Sequence, residues 1–366
     1  MAPTERQQEI LDLRAQGMSQ RAIGDTLGIS RRTVRSQLDN AQKNASEIDP
    51  LTQEVMDHFG SNDVPRAFWS KDKKFSALFG PKKVQEADLV DKLKKAFEDI
   101  PRAPQIIAPA FVDDETMTVY PLFDVHLELL AAAEISGEDA NLEIGCERLK
   151  KNLTTVMANS PNSKKGVIVN GGDFNHTDDD LNVTPKHKHP LDSSARNYTT
   201  VDASVELLCS LIEMALEKHE TVEYYSVPGN HDPKNWMTLM FALHYRYRDN
   251  PRVHIEKSPL EFSIIRFGKV LIVVHHGDKR DVKDMIMFLS AEYPEILSGA
   301  KYRMLWTGHN HHLKAQDFPG WEWRQFRPIT SRDHYAFSNF YSSMSEVLSI
   351  VFHETEGEKT GWKERL

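Results

Sequence analysis

Five short β-branched runs from Thr118 onward each end in residue types that bind metals. Thr118 to Phe123 runs into Asp124-Val125-His126, and Gly166 to Val169 into Gly171-Gly172-Asp173. Val222 to Val227 leads to Gly229-Asn230-His231-Asp232, and Lys269 to Val274 to His275-His276-Gly277-Asp278. Met304 to Trp306 ends in Gly308-His309-Asn310-His311. Ligands bind outside the carboxyl ends of strands in open α/β sheets, so these ends are expected to meet at one place. The glycines let the backbone turn sharply and come close to bound ions. One D-x-H pair says little, whereas five ordered motifs at five strand ends predict a metal centre. Mixed carboxylate, amide and imidazole donors suit Mn²⁺, Fe or Zn²⁺ more than Ca²⁺.

The elements that must hold these residues follow from the pattern around them. Strand-like runs alternate with amphipathic helices, notably Leu142 to Met157 and Val201 to Lys218, as in an α/β core. Phe262 to Phe267 and Val270 to Val274 predict a hairpin through Gly268-Lys269, and Val347 to Phe352 a last edge strand. Trp321, Trp323, Phe326, Phe340 and Tyr341 are expected to pack on the sandwich edge, with base stacking as the other reading.

A different pattern opens the chain. Ile10, Leu11 and Leu13 give one short helix. Ser19 can cap a second, carrying Ala22, Ile23 and Leu27. Gly28 supplies a turn, and Ser30 caps a third with Val34 and Leu38 inward. Helix, glycine turn, helix is the helix-turn-helix spacing, and Ser19-Gln20-Arg21-Ala22-Ile23-Gly24 with Leu27-Gly28-Ile29-Ser30 resembles bacterial resolvase-type and transcription-factor units. Gly24 stands where such units usually carry Ala, which should weaken the helix slightly. Arg31, Arg32 and Arg35 would point outward from the third helix, suited to phosphates and guanine edges. A solvated basic face on a small bundle is the other reading. One unit binds weakly, so specific recognition would need a homodimer or help from the second domain.

The expected organisation is a helix-turn-helix domain over 1–44, a partly helical linker over 45–112, the α/β domain over 113–355 and a polar tail over 356–366. Within the linker, Asp88 to Ile100 reads as an amphipathic helix, and Trp69 to Phe75 interleaves aromatics with lysines. The net charge of −9 argues against a surface coated in basic residues but leaves room for local basic patches. With two cysteines, Cys146 and Cys209, there is no disulfide scaffold. No apolar run approaches the roughly 18 residues of a membrane helix, and no signal peptide is expected. A cytoplasmic home, that of the host if the chain is phage-encoded, follows.

The ordered set D-x-H, G-D, G-N-H-D, H-G and G-H-x-H resembles the calcineurin-like metallophosphoesterase superfamily, over roughly Thr118 to Leu313. The resemblance implies an α/β fold, a β-sandwich flanked by helices, here preceded by the small all-α domain. It implies two divalent metal ions, Mn²⁺ first with Fe, Zn²⁺ or Mg²⁺ as alternatives. Asp124, His126 and His311 would hold one, Asn230, His276 and His309 the other, and Asp173 would bridge. His276 directly precedes the glycine, so His275 would support or pack. Such a pair activates a shared water and clamps the phosphate oxygens. His231 would protonate the leaving oxygen or stabilise it; otherwise it only orients its loop. Asp232 and Asp278 would fix imidazole orientation.

The substrate is less constrained. Gly172-Asp173-Phe174-Asn175-His176 resembles the G-D-x-x-H form of the double-strand-break repair nuclease branch, making His176 either a substrate contact or a surface-loop residue. The polar loop from Thr177 to Thr200 carries Lys186-His187-Lys188-His189 and Arg196, groups that could meet a polyanionic substrate, and reads as a lid or rim. The loop looks like those of metallophosphoesterases of tailed bacteriophages. A DNA nuclease docked by its helix-turn-helix is the leading expectation, with DNA as partner. A phosphatase or phosphodiesterase for nucleotides and other small esters is the alternative. A DNA-binding regulator with a metal-sensing domain is a third.

Overall fold

The structure, a computed structural model, describes residues 5–44, 55, 57–58, 67–71, 74–78, 103–332, 337–338 and 344–366. The chain divides into two compact units, Met1–Asp88 and Leu89–Leu366.

The first unit opens with three helices, α1 (Glu5–Ala15), α2 (Gln20–Leu27) and α3 (Arg31–Asn44). Ser19 caps α2 by accepting from the Ala22 N–H at 3.2 Å, Gly28 ends it at φ 66°, and Ser30 accepts from Thr33 N at 3.1 Å to start α3. The three helices close over buried Ile10, Ile23 and Val34. Gly24, expected to weaken the helix slightly, also has a packing reason to be glycine. A Cβ there would lie 2.7 Å from the Ile29 carbonyl oxygen, so the glycine lets the turn into α3 pass close against α2.

Farther along, β1 (Ala67–Lys71) and β2 (Lys74–Leu78) pair antiparallel, Ala67 with Leu78 and Lys71 with Lys74. Within the stretch expected to be a partly helical linker, residues 55, 57 and 58 are helical and 67–78 contains this β-hairpin, consistent with the strand preference of Phe68, Trp69 and Phe75. The predicted helix from Asp88 to Ile100 lies outside the described residues.

The second unit contains two sheets. The first has the order β13-β12-β3-β4-β5-β6, in which β3 (Asp113–Leu122), β4 (Ser163–Asn170), β5 (Thr221–Ser226) and β6 (Val253–Ile255) are parallel. The second has the order β10-β11-β9-β8-β7, with β8 (Val270–His275), β9 (Tyr302–Thr307) and β11 (Trp321–Gln325) parallel and β7 (Phe262–Phe267) and β10 (Lys314–Phe318) antiparallel at its edges. The hairpin through Gly268-Lys269 is as predicted.

Period-two alternation sorts the side chains into layers. Val119, Val167 and Val169 face Ile272, Val274 and Trp306 between the sheets. Tyr120, Leu122 and Ile168 face the other way, onto α5 (Leu142–Asn159), α6 (Asn197–Leu216) and α7 (Asn235–Tyr247). On the far side of the second sheet, Leu271, Val273, Leu305, Trp321 and Trp323 cluster with residues of α8 (Val282–Glu292) and α9 (Pro294–Leu297). A one-turn helix, α4 (Ala133–Ser136), precedes α5. The fold is thus a mixed α/β sandwich with helices on both outer faces.

Two expectations at the C-terminus need correction. The strand β12 (Glu346–His353) is interior, lying between β3 and β13, and the supposed polar tail is the edge strand β13 (Gly357–Arg365). Most side chains of β13 are exposed, so its sequence lacks the apolar alternation that betrays a strand, and backbone pairing carries it. Trp321, Trp323 and Phe326 are buried as expected, whereas Phe340 and Tyr341 lie outside the described residues. Among the described residues, no helix is long and apolar enough to cross a membrane.

Candidate metal centre

The carboxyl ends of β3, β4, β5, β8 and β9 bring their motifs together. Two sets of donor atoms each gather within 4.8 Å: Asp124, His126 and His311, and Asp173, His276 and His309. A third such set is His126, His176 and His231. Asn230 joins the second, its Oδ1 3.0 Å from His276 Nε2. Asp173 stands between the first two, with Oδ2 3.1 Å from His276 Nε2 and 3.8 Å from His126 Nε2. His311 Nε2 lies 3.4 Å from Asp124 Oδ1 and 3.2 Å from His126 Nε2.

The backbone is strained where these side chains leave it. Seven described residues other than glycine have positive φ, and five of them are Asp124 (51°), His126 (45°), Asp173 (54°), His309 (70°) and His311 (55°). Each left-handed residue of this kind costs about 1–2 kcal/mol, and such strain gathers where surrounding structure over-determines it. Here the loops hold one another: His126 N donates to Asp173 O at 2.9 Å, Gly308 N to His276 O at 2.8 Å, and His309 N to the Asp124 carboxylate at 2.9 Å. Glycine is required at two approaches. A Cβ on Gly229 would meet Asp173 Oδ1 at 2.0 Å, and one on Gly308 would meet Asp124 Oδ2 at 2.4 Å.

Hydrogen bonds assign the imidazole protons. His276 Nδ1–H donates to the Gly171 carbonyl at 3.0 Å, which leaves its Nε2 facing the centre. His231 Nδ1–H donates to the His176 carbonyl at 2.9 Å, freeing Nε2, while its backbone N–H donates to Asp173 Oδ1 at 2.8 Å. His126 and His176 approach through their Nδ1 atoms at 3.2 Å. His176 Nε2 is buried without a hydrogen-bond partner. The surface-loop alternative for His176 is thereby excluded, since the residue is 2% exposed.

The charges fit a cation site. Burial opposes ionisation throughout, yet the imidazolium of His276 holds the Asp173 carboxyl well below the usual carboxylate range. Against the same desolvation, Asp173 raises His276 to about 10, and Asp124 raises His311. Burial, with the neighbouring imidazoles, depresses His126 strongly and His176 to about 3. Buried carboxylates thus draw protons onto imidazoles at the positions where divalent cations would replace them. The donor set suits such ions.

Two positioning residues were misread or missed. Asp232 does not orient an imidazole; its carboxylate accepts from the backbone N–H groups of Asp173, Phe174, Asn175 and Gly229 at 2.9–3.1 Å, tying the loops after β4 and β5 together. Burial and the Asp173 charge push it up to about 7. Glu128, fully buried, accepts from His176 N at 2.9 Å and from Thr177 N and Oγ1 at 2.7 and 2.8 Å. No motif flags it, and only its place two residues after His126 could have drawn attention. His275 is buried and accepts from Gly277 N at 2.8 Å, and Asp278 acts on His275 and His309 through its charge. Arg196 is exposed at the N-cap of α6. In the first unit, Arg31, Arg32 and Arg35 are exposed on α3.

Comparison with known proteins adds the following. Residues 2–49 match the family model described as a Homeodomain-like domain. No curated protein matches the chain. Similar solved structures include the phosphoesterase Yfce from E. coli, 15% identical, covering 67% of this chain and 98% of its own, with a TM-score of 0.32. An archaeal phosphodiesterase is 9% identical over 68% of this chain and 100% of its own, with a TM-score of 0.33. Vps29 complexed with zinc from Entamoeba histolytica is 14% identical over 68% of this chain and 98% of its own, with a TM-score of 0.28.

Proposed function

We propose that the second unit is a two-metal phosphodiesterase that cuts DNA, with the first unit docking it on the substrate. The observation that carries this reading is the pair of buried donor clusters meeting at Asp173, with two further histidines, His176 and His231, beside them. Asp124, His126 and His311 would hold one cation, and Asn230, His276 and His309 the other, with Asp173 shared. When bound, such a pair lowers the pKa of a water and clamps the phosphate oxygens for in-line displacement.

The chain's own groups do the rest. If His126 offers Nε2 to a metal, its Nδ1–H donates to His176 Nδ1, and neutral His176 must carry its proton on Nε2. That buried N–H meets no protein acceptor, and a non-bridging phosphate oxygen would satisfy it. His231 spends its Nδ1–H on a carbonyl, so its Nε2 is the atom that moves a proton. It gives one to the leaving oxygen as imidazolium and accepts one when neutral. Glu128 and Asp232 keep the His176 and Asp173 loops in place for both. DNA as substrate is supported by the exposed arginines of the homeodomain-like segment.

The test is Mn²⁺-dependent digestion of single- and double-stranded DNA beside a phosphomonoester and bis(p-nitrophenyl) phosphate, with His231→Ala as control. DNA cleavage that falls about 10²–10⁴-fold in the variant supports the reading. Intact DNA with rapid small-ester hydrolysis would move the substrate to nucleotides or other small esters.

A further inference from the structure

Between the bridging Asp173 loop and α6, the chain makes a hairpin whose eleven residues, Leu181 to Leu191, contain no carboxylate in a protein of net charge −9. Val183 bridges Pro190, Leu191 N donates to Asn182 O, and Thr184 N donates to His189 O, both at 2.9 Å. The turn is closed by Lys188 N on Thr184 O and by His189 N on Thr184 Oγ1, again at 2.9 Å. Thr184 is buried, whereas Lys186, His187, Lys188 and His189 are all exposed at the tip.

The charges along this segment are segregated. Asp178 accepts from the N–H groups of Lys234 and Asn235, Asp179 from Leu181 N, and Asp180 from Asn197 N. The three aspartates are therefore engaged at the base on backbone amides. Lys165 and Lys234 pair with Glu223 and Asp178, but among the described residues no ion pair engages Lys186 or Lys188.

Both legs are fixed to the rim of the metal centre. The entering leg is held where Glu128 binds His176 and Thr177. The returning leg is held by Leu130 N on Asp192 O, by the Leu129–Ser193 bridge, and by Ser194 N on Glu128 O at 2.9 Å. Residues 128–130 begin two positions after His126, so the hairpin is a braced projection and not a slack loop.

We propose that this hairpin is a basic finger that grips the phosphate backbone of the nucleic-acid strand flanking the scissile bond. The proposal rests on the nuclease reading and deepens it. Lys186 is six residues from Asp192, a reach of at most about 20 Å. At about 3.4 Å per nucleotide along a strand, the finger would contact phosphates within about six nucleotides of the point where Asp192 is anchored.

The experiment uses the full chain with Arg31→Ala, Arg32→Ala and Arg35→Ala throughout, which removes the exposed arginines of α3 from the comparison. A Lys186→Ala, Lys188→Ala variant is compared with this parent for binding of a fluorescent 20-nucleotide strand across a salt series. Hydrolysis of bis(p-nitrophenyl) phosphate and of oligonucleotides from 2 to 20 residues is followed in Mn²⁺. Binding should weaken about tenfold, with the slope of log affinity on log salt shallower by about 0.7 for each lysine removed. The loss in kcat/KM should grow with oligonucleotide length and be absent on the dinucleotide and the bis-ester. Unchanged binding and salt slope overturn the finger, and so does an equal loss on the bis-ester, which would make the hairpin a brace for the site. Lysine-dependent binding of a 20-mer that the parent leaves uncut supports the finger and overturns the nuclease reading alone.

Discussion

In the first unit, the residues suited to chemistry and the residues that make the core are different residues. Ile10, Ile23 and Val34 form the interior, while Arg31, Arg32 and Arg35 stand on the outside of α3. In the second unit the two roles coincide. Asp124, Asp173 and His276 are each at most 1% exposed, two of them hold left-handed backbone, and their carboxylates and rings brace the loops that carry them. A surface can therefore be edited in the first unit without touching the fold, whereas every edit at the centre of the second changes charge balance, loop geometry and chemistry together.

The largest test of that contrast is Asp173→Asn. Asparagine tolerates positive φ and keeps the shape, so the change isolates the shared charge. Turnover of bis(p-nitrophenyl) phosphate should fall at least about a thousandfold, on the scale of 4 kcal/mol, and bound metal, read by elemental analysis, should fall with it. Near-normal turnover would break the two-cluster reading.

The next test moves to the amino end of the same strands. His219 is buried there, accepting from Ser163 N at 3.3 Å and meeting the Tyr120 hydroxyl at 2.8 Å, with Gly166 making room for its ring. Burial lowers it to about 4 from the ordinary 6.5. The unfolded chain therefore binds the proton first as pH falls. The stability from the neutral ring is complete above about pH 6.5 and is lost on the way to pH 4, about 3 kcal/mol in all. His219→Gln should be less stable at pH 7 but lose less between those limits, as read by chemical denaturation. Parallel acid limbs for the two proteins would show that His219 contributes nothing to the pH dependence.

Gly24→Ala sharpens the comparison from the other side. Alanine favours helix by about 1 kcal/mol, but here its Cβ would press on the Ile29 carbonyl. A net loss of about 1–3 kcal/mol is expected in the first unit, with bis-ester hydrolysis in the second unchanged. A stabilised first unit, read by its own melting transition, would return Gly24 to the role of a weak helix former. The smallest effect on stability belongs to Arg31→Ala with Arg32→Ala: within about 0.5 kcal/mol. DNA affinity should nonetheless fall, the salt slope losing about 0.9 for each phosphate contact removed. Unchanged DNA binding would reduce the basic face to solvated surface.

Much of the second unit was legible because its central strands are buried on both faces. Runs such as Val270 to Val274 are continuous and apolar, and each ends in a short cluster of donors and glycines that no other pressure explains. β13 and the β1–β2 hairpin were not legible. An edge strand such as β13, exposed at most of its positions, has few apolar contacts to advertise, and backbone pairing leaves no mark on residue type. Glu128 and Asp232 show the same limit within the site. A buried carboxylate that serves backbone amides looks, as a sequence, like any charged loop residue.

Residue type and local spacing alone determined the helix-turn-helix pattern, the α/β class and the ordered donor motifs, because caps, glycine turns and apolar periodicity are properties of neighbours along the chain. Only the tertiary structure decided that His176 lies buried against His126 and His231, that Asp173 stands between two donor clusters, and that the polar loop after His176 is a braced hairpin with its lysines outward. Those facts join residues as many as 185 positions apart, such as His126 and His311. Which lone pair faces which proton is settled by packing across sheets, not by the order of residues along one strand.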